Sequence, residues 1–140
     1  MNVLLPVDGS DHTKRMLAHL AARDELLGPG HTYTLFTAVA PIPPHAARFL
    51  DRSTLDDYYH QQVEQVFAPI RAFAAQNGWA LREAHAHGAP AEAIADHAKR
   101  EKTDLIVMGT HGHSALANVV LGSVASGVLA RTQVPVLLVR

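Results

Sequence analysis

Short uncharged runs alternate with amphipathic stretches along the chain. Val3-Leu4-Leu5-Pro6-Val7 is apolar throughout, which fits a strand buried on both faces, with Pro6 near its end. Asp8-Gly9-Ser10-Asp11 reads as a turn, and Ser10 or Asp11 is placed to cap a helix carrying Met16, Leu17, Leu20 and Leu27. Gly28-Pro29-Gly30 stops that helix. Residues Thr32–Val39 are β-branched and aromatic and predict a second strand. A loop opens at Pro41-Ile42-Pro43-Pro44, and helical spacing resumes near Ser53 or Thr54 with Leu55, Tyr59, Val63, Val66, Phe67, Ile70 and Phe73. Pro69 falls inside this pattern and predicts a kink or a split, and Asn77-Gly78 a C-terminal cap.

The third strand, from Trp79 to about His87, is interrupted by Arg82, Glu83 and two histidines, which points to a sheet edge. Pro90 opens a helix at its favoured first position, with Ala91, Ile94, Ala95 and Ala98 inward. Asp104–Met108 is a central buried strand, helix signals return around Ser123, and Val134–Val139 is a last strand. Five strands alternating with helices specify one α/β domain over residues 1–140: a parallel sheet, helices on both faces, right-handed crossovers. Ligands of such sheets sit beyond the carboxyl ends of the strands, where strand order reverses. Two segments compete for that place, Asp8-Gly9-Ser10 and the glycine stretch after the fourth strand. If the first and fourth strands are neighbours, both segments face one cleft.

Composition narrows the partners. Hydrophobic residues make up 48% and charged residues 18%, so a core can form and disorder is not expected. Lys+Arg 12 against Asp+Glu 13 leaves no basic excess for a nucleic acid backbone. The absence of cysteine excludes disulfides, thiolate catalysis and Cys-ligated metal. The N-terminus lacks a charged leader segment and no apolar stretch approaches a membrane span, so a soluble cytoplasmic domain with no membrane partner is expected. Histidine is abundant, at 10 residues, so the chain gains positive charge in mild acid.

The glycine stretch is "MGTHGHSALANVVLGSVAS", residues 108 to 126. Gly109 ends a buried strand and Gly112 lets the loop fold tightly. Nine residues on, Gly122-Ser123 opens a helix whose first N–H groups lack intrahelical partners and attract anions. Read alone, these residues leave a phosphate cradle and ordinary turn glycines both open; the dinucleotide fingerprint and the P-loop Lys are absent. The spacing Gly109-x-x-Gly112, nine residues, Gly122-Ser123 resembles that of ATP-binding universal stress protein domains. "VLLPVDGS", "HGAPAEAIADHAKREKTDLIVMGTHGHS" and "LGSVASGVLARTQVPVLLVR" extend the likeness over the whole chain, most loosely in residues 40–80.

The resemblance implies a Rossmann-like, adenine nucleotide alpha-hydrolase-like sheet of order 3-2-1-4-5. It also implies ATP in the cleft, with Mg²⁺ left open, and commonly a homodimer through the last strand. Carried over, Pro6, Val7 and Asp8 border adenine and ribose, and Val39 closes the adenine pocket. Met108, Gly109, Thr110, Gly112 and His113 line ribose and phosphates, while Gly122, Ser123 and Val124 hold the phosphate tail. Plain core for Val7, Val39 and Met108, and a simple turn cap for Asp8, stay open as readings. Where the family often has Arg or Lys after the second glycine, this chain has His113, which predicts weaker ATP affinity or one that rises as pH falls. Ser126-Gly127 replaces larger residues common in the family.

Two His-x-His pairs, His85/His87 and His111/His113, could each offer two metal ligands, but a site needs a third and no H-E-x-x-H spacing exists. The expectation is no metal site and no catalytic residue. Fast ATP hydrolysis needs a base, a charge clamp and metal ligands, and only Asp8 and His113 offer themselves. The leading expectation is an ATP-binding stress-response or signalling module with slow hydrolysis at most. An interaction protein with a vestigial cleft and a metal-assisted phosphohydrolase are the alternatives. The apolar terminal strand is the surface expected to pair with a second copy.

Overall fold

The computed structural model describes residues 1–113, 118 and 120–140. Its strands are β1 (Asn2–Pro6), β2 (Thr32–Val39), β3 (Ala80–His87), β4 (Leu105–Gly109) and β5 (Val136–Val139). All pair in parallel, in the order β3-β2-β1-β4-β5. The chain steps outward from β1 to β3, then returns to lay β4 on the other side of β1. The carboxyl ends of β1 and β4 therefore stand side by side at the reversal, the place where open α/β sheets bind ligands.

The helices are α1 (Asp11–Ala21), α2 (Asp24–Leu27), α3 (Pro44–Ala47), α4 (Arg52–Gln76), α5 (Pro90–Arg100) and α6 (Ser123–Arg131). Two apolar layers cover the sheet. On one face Met16, Leu17 and Leu20 of α1 and Val63, Phe67 and Ile70 of α4 pack on Val3, Leu5, Leu35 and Val107. On the other, Ile94 and Ala98 of α5 and Ala125 and Val128 of α6 pack on Leu4, Phe36, Ile106 and Met108. Among the described residues β3 pairs only with β2, the edge its polar interruptions predict. Among the described residues no helix is long and apolar enough to cross a membrane.

Three elements depart from the sequence reading. Leu27 does not share a helix with Leu20: α1 ends at Ala21, Arg23 leaves helical geometry at φ −134°, and Leu27 reaches the core from the separate turn α2. A spacing of seven suits one continuous helical face, so periodicity could not see the break. The long helix starts earlier than Ser53, because Asp51 caps it by accepting from Thr54 N at 2.7 Å. It also runs unsplit through Pro69. Both Pro69 and Gln65, whose carbonyl loses a donor there, are exposed, so water can satisfy the freed oxygen. The short helix α3 had no periodic signal.

Candidate functional site

Asp8 leaves the end of β1 and is fixed from three directions. Its Oδ1 accepts from Ser10 N at 2.9 Å and from Thr13 Oγ1 at 3.0 Å. Thr13 Oγ1 also accepts from Asp8 N at 3.2 Å. From the loop after β4, His113 N donates to Asp8 Oδ2 at 3.2 Å, and His113 Nε2 lies 2.7 Å from the Asp8 carbonyl. A carbonyl can only accept, so Nε2 carries the proton in that contact. Burial pushes the Asp8 carboxyl up, but hydrogen bonds from Ser10 and Thr13 and the positive charge available at His113 together hold it below its ordinary value. Asp8 is therefore an anion at neutral pH. The loop comes this close because residue 112 is glycine: a Cβ there would run into the Asp8 carboxylate.

The start of α6 closes on the same loop. Gly122 N donates to Thr110 O at 2.7 Å, and a Cβ at 122 would stand 2.9 Å from that oxygen and 3.2 Å from His111 Cα. As the cap residue Gly122 offers no side-chain acceptor, and the first intrahelical bond runs from Ser126 N to Gly122 O. The N–H groups of Ser123, Val124 and Ala125 are left without intrahelical acceptors, at the positive end of the helix dipole.

Between these parts lies a cavity of about 590 Å³. Pro6, Val7 and Asp8 form one side. Met108, Gly109, Thr110, Gly112 and His113 form the rim that follows β4. Gly122, Ser123 and Val124 form the far wall. Val39 is the expected residue that the structure does not bring there. Its side chain packs with the α1/α4 layer, and its neighbour Ala38, on the α5/α6 side, lines the cavity instead. β2 carries apolar residues on both faces, Phe36 and Ala38 on one and Leu35 and Val39 on the other, so the sequence could not fix its phase. Sequence reasoning also missed Thr13, Phe36, Thr37, Pro90 and Ile94, and singled out His111 only as half of a metal-ligand pair. Pro90 carried a usable signal, since a proline opening a helix after an edge strand places that helix start beside the carboxyl ends.

The chain matches the model of the universal stress protein family over residues 1–140. It belongs to the universal stress protein family. A universal stress protein of Thermus aquaticus is 38% identical over 140 residues, covering 99% of this chain and 97% of the relative. The universal stress protein UspA of Lactobacillus plantarum superposes with a TM-score of 0.81 at 24% identity, over 100% of this chain and 97% of that one. Another universal stress protein, solved in complex with cAMP, matches at TM-score 0.65 and 25% identity over 100% and 96% of the two chains.

In this universal stress protein the second His-x-His pair lies at the cavity and the first does not. His85 and His87 sit on β3 with ring centroids 6.2 Å apart, and His87 rests on Tyr59 at 4.1 Å. Among the described residues no three His, Asp or Glu side chains converge as a metal site. Asp8 is the one carboxylate lining the cavity among them, and three donors already occupy it. Chemically the cavity offers apolar walls, a fixed anion, two histidines and a cluster of backbone donors.

Proposed function

We propose that the cavity binds an adenine nucleotide, with ATP as its occupant, and that the chain serves as a cytoplasmic nucleotide-dependent stress-response module with slow hydrolysis or none. The observation that carries this is the convergence at one cavity of unsatisfied α6 donors with a loop held close by Gly112 and Gly122. The relative in complex with cAMP supports an adenine ligand. Val7, Ala38 and Met108 would face the base, Asp8 would accept from ribose hydroxyls, the loop Gly109–His113 would line ribose and phosphates, and the backbone N–H groups of Ser123–Ala125 would donate to phosphates.

Rapid hydrolysis does not fit these residues. Among the described residues no lysine or arginine lines the cavity to clamp developing phosphate charge. Asp8 is held ionised by its donors and is a weak base. Mg²⁺, if it accompanies ATP, would be held by phosphates and water more than by this carboxylate.

Calorimetric titration with ATP, with and without Mg²⁺, tests the reading beside Ser123→Glu. Ser123 is exposed at the first position of α6, where a carboxylate favours the helix by about 0.3–1 kcal/mol. It is a cleaner probe than a charge at 122, which would collide with Thr110. The parent should bind with Kd on the order of 1–100 μM, and the variant at least about tenfold more weakly with its melting temperature kept or raised. A folded parent that ignores millimolar nucleotide would overturn the reading in favour of an interaction protein with a vestigial cleft.

A further inference from the structure

The sequence from Leu105 to Ala130 contains no lysine or arginine. Among the described residues, the groups at the cavity able to become cationic are His111 and His113. A third histidine enters from α1, where the His12 ring stands 5.3 Å from that of His111. Gly109 makes room for it, because a Cβ at 109 would lie 3.0 Å from His12 Cβ. His12 Nδ1 is buried without a hydrogen-bond partner. A buried polar atom in that state is unusual in folded proteins and costs stability until a hydrogen-bonding group reaches it.

The charged groups around this cluster are few. Asp8 touches His113 through both its carboxylate and its carbonyl. Asp11 and Lys14 at the start of α1 are exposed and paired with each other at 3.3 Å. Glu92 in the first turn of α5 is exposed. Arg140 follows Val139, whose carbonyl accepts from Thr110 N at 3.0 Å, and is exposed. The one ionised side chain of α6 is Arg131 in its last turn, tied to Gly127 O. With neutral histidines the strongest fixed charge at the cavity is thus the Asp8 anion, which repels phosphate. Protonated histidines reverse the sign.

We propose that His111 and His113, with His12 packed behind His111, supply the cationic charge of the cleft, so that polyphosphate binding takes up protons and the preference for ATP over AMP widens as pH falls. The inference rests on the nucleotide reading above. Unlike a lysine clamp, such a site is weak for triphosphate at alkaline pH and strong in mild acid, because imidazole is a side chain that gains charge in mild acid.

Calorimetry with ATP and with AMP, in buffers of different ionisation enthalpy at about pH 8 and about pH 5.5, reads both affinity and proton uptake. Circular dichroism confirms the fold at each pH. ATP affinity should rise about tenfold towards acid and AMP affinity about threefold, one decade corresponding to one pKa unit of linkage. The nucleotide's own phosphates also titrate, but equally with every protein, so the contrast between parent and variants isolates the side chains. His111→Asn and His113→Asn, singly and together, should flatten the ATP profile, whereas His45→Asn on the exposed helix α3 should keep it. A doubly substituted protein with the parent's pH profile and proton uptake would sink the proposal, as would a parent with no pH dependence. Failure of the folded parent to bind either nucleotide at either pH would instead remove the nucleotide reading beneath it.

Discussion

Gly112 has no left-handed backbone angle; among the described glycines the positive-φ positions are Gly9, Gly78 and Gly88. What residue 112 needs is proximity. Its missing Cβ lets His113 N reach Asp8 and brings the loop after β4 onto the turn after β1. Gly112→Ala must push the carboxylate out of its Ser10 and Thr13 hydrogen bonds or lift the loop away. Denaturant unfolding should show a loss of about 1–3 kcal/mol, the usual range for overpacking, together with weaker nucleotide binding. Unchanged stability and unchanged affinity would mean that the loop does not depend on this contact. The spacing of the glycines marks where backbone must pass closely. It did not tell which neighbour would be met, because Asp8 lies more than a hundred residues away in the chain and only the fold brings it there. The same limit hid His12, whose place behind Gly109 has no local signature.

Elements were more legible than their partners. Five strands and four long helices follow from periodicity and caps, while α2 and α3, at four residues each, are too short for any period to show. Gly127 had no explanation from sequence, since a glycine inside a helix costs about 1 kcal/mol relative to alanine. Its reason is the α5–α6 crossing: a Cβ at 127 would lie 2.6 Å from Ala91 Cβ. The close crossing draws together the starts of two helices that both border the cavity, at Pro90 and at Ser123. Gly127→Ala therefore gains propensity and loses packing. In a double-mutant cycle with Ala91→Gly, urea unfolding should give a coupling above about 1 kcal/mol, because removing the methyl at 91 opens the space that the methyl at 127 needs. Additivity within about 0.5 kcal/mol would show that the helices simply slide apart.

At the scale of the molecule, the strand order was implied by family resemblance; alternation alone specified only a parallel sheet. The two sheet edges then differ in a way that bears on assembly. At β3 the edge carries Arg82, Glu83, His85 and His87, and Arg71 of α4 bridges Glu83 and Glu64 at 2.5–2.7 Å. Charges of this kind block strand addition. At β5 the run Val136-Leu137-Leu138-Val139 has no charge, pairs among the described residues with β4 on one side only, and leaves Leu137 37% exposed. An apolar edge with free backbone groups invites another strand, and a second copy about a two-fold axis satisfies both at once. We therefore expect a homodimer through β5 and none through β3. Light scattering coupled to size exclusion should give twice the chain mass for the parent and for Arg82→Ala, and one chain mass for Leu137→Lys with its circular dichroism spectrum intact. A parent that stays monomeric at its highest soluble concentration, or a Leu137→Lys protein that stays dimeric, would place the contact elsewhere or abolish it. Because β5 also lies beside β4, whose end carries the loop of Gly109 to His113, comparing ATP affinity between dimer and monomer in the same samples shows whether assembly and cleft are coupled.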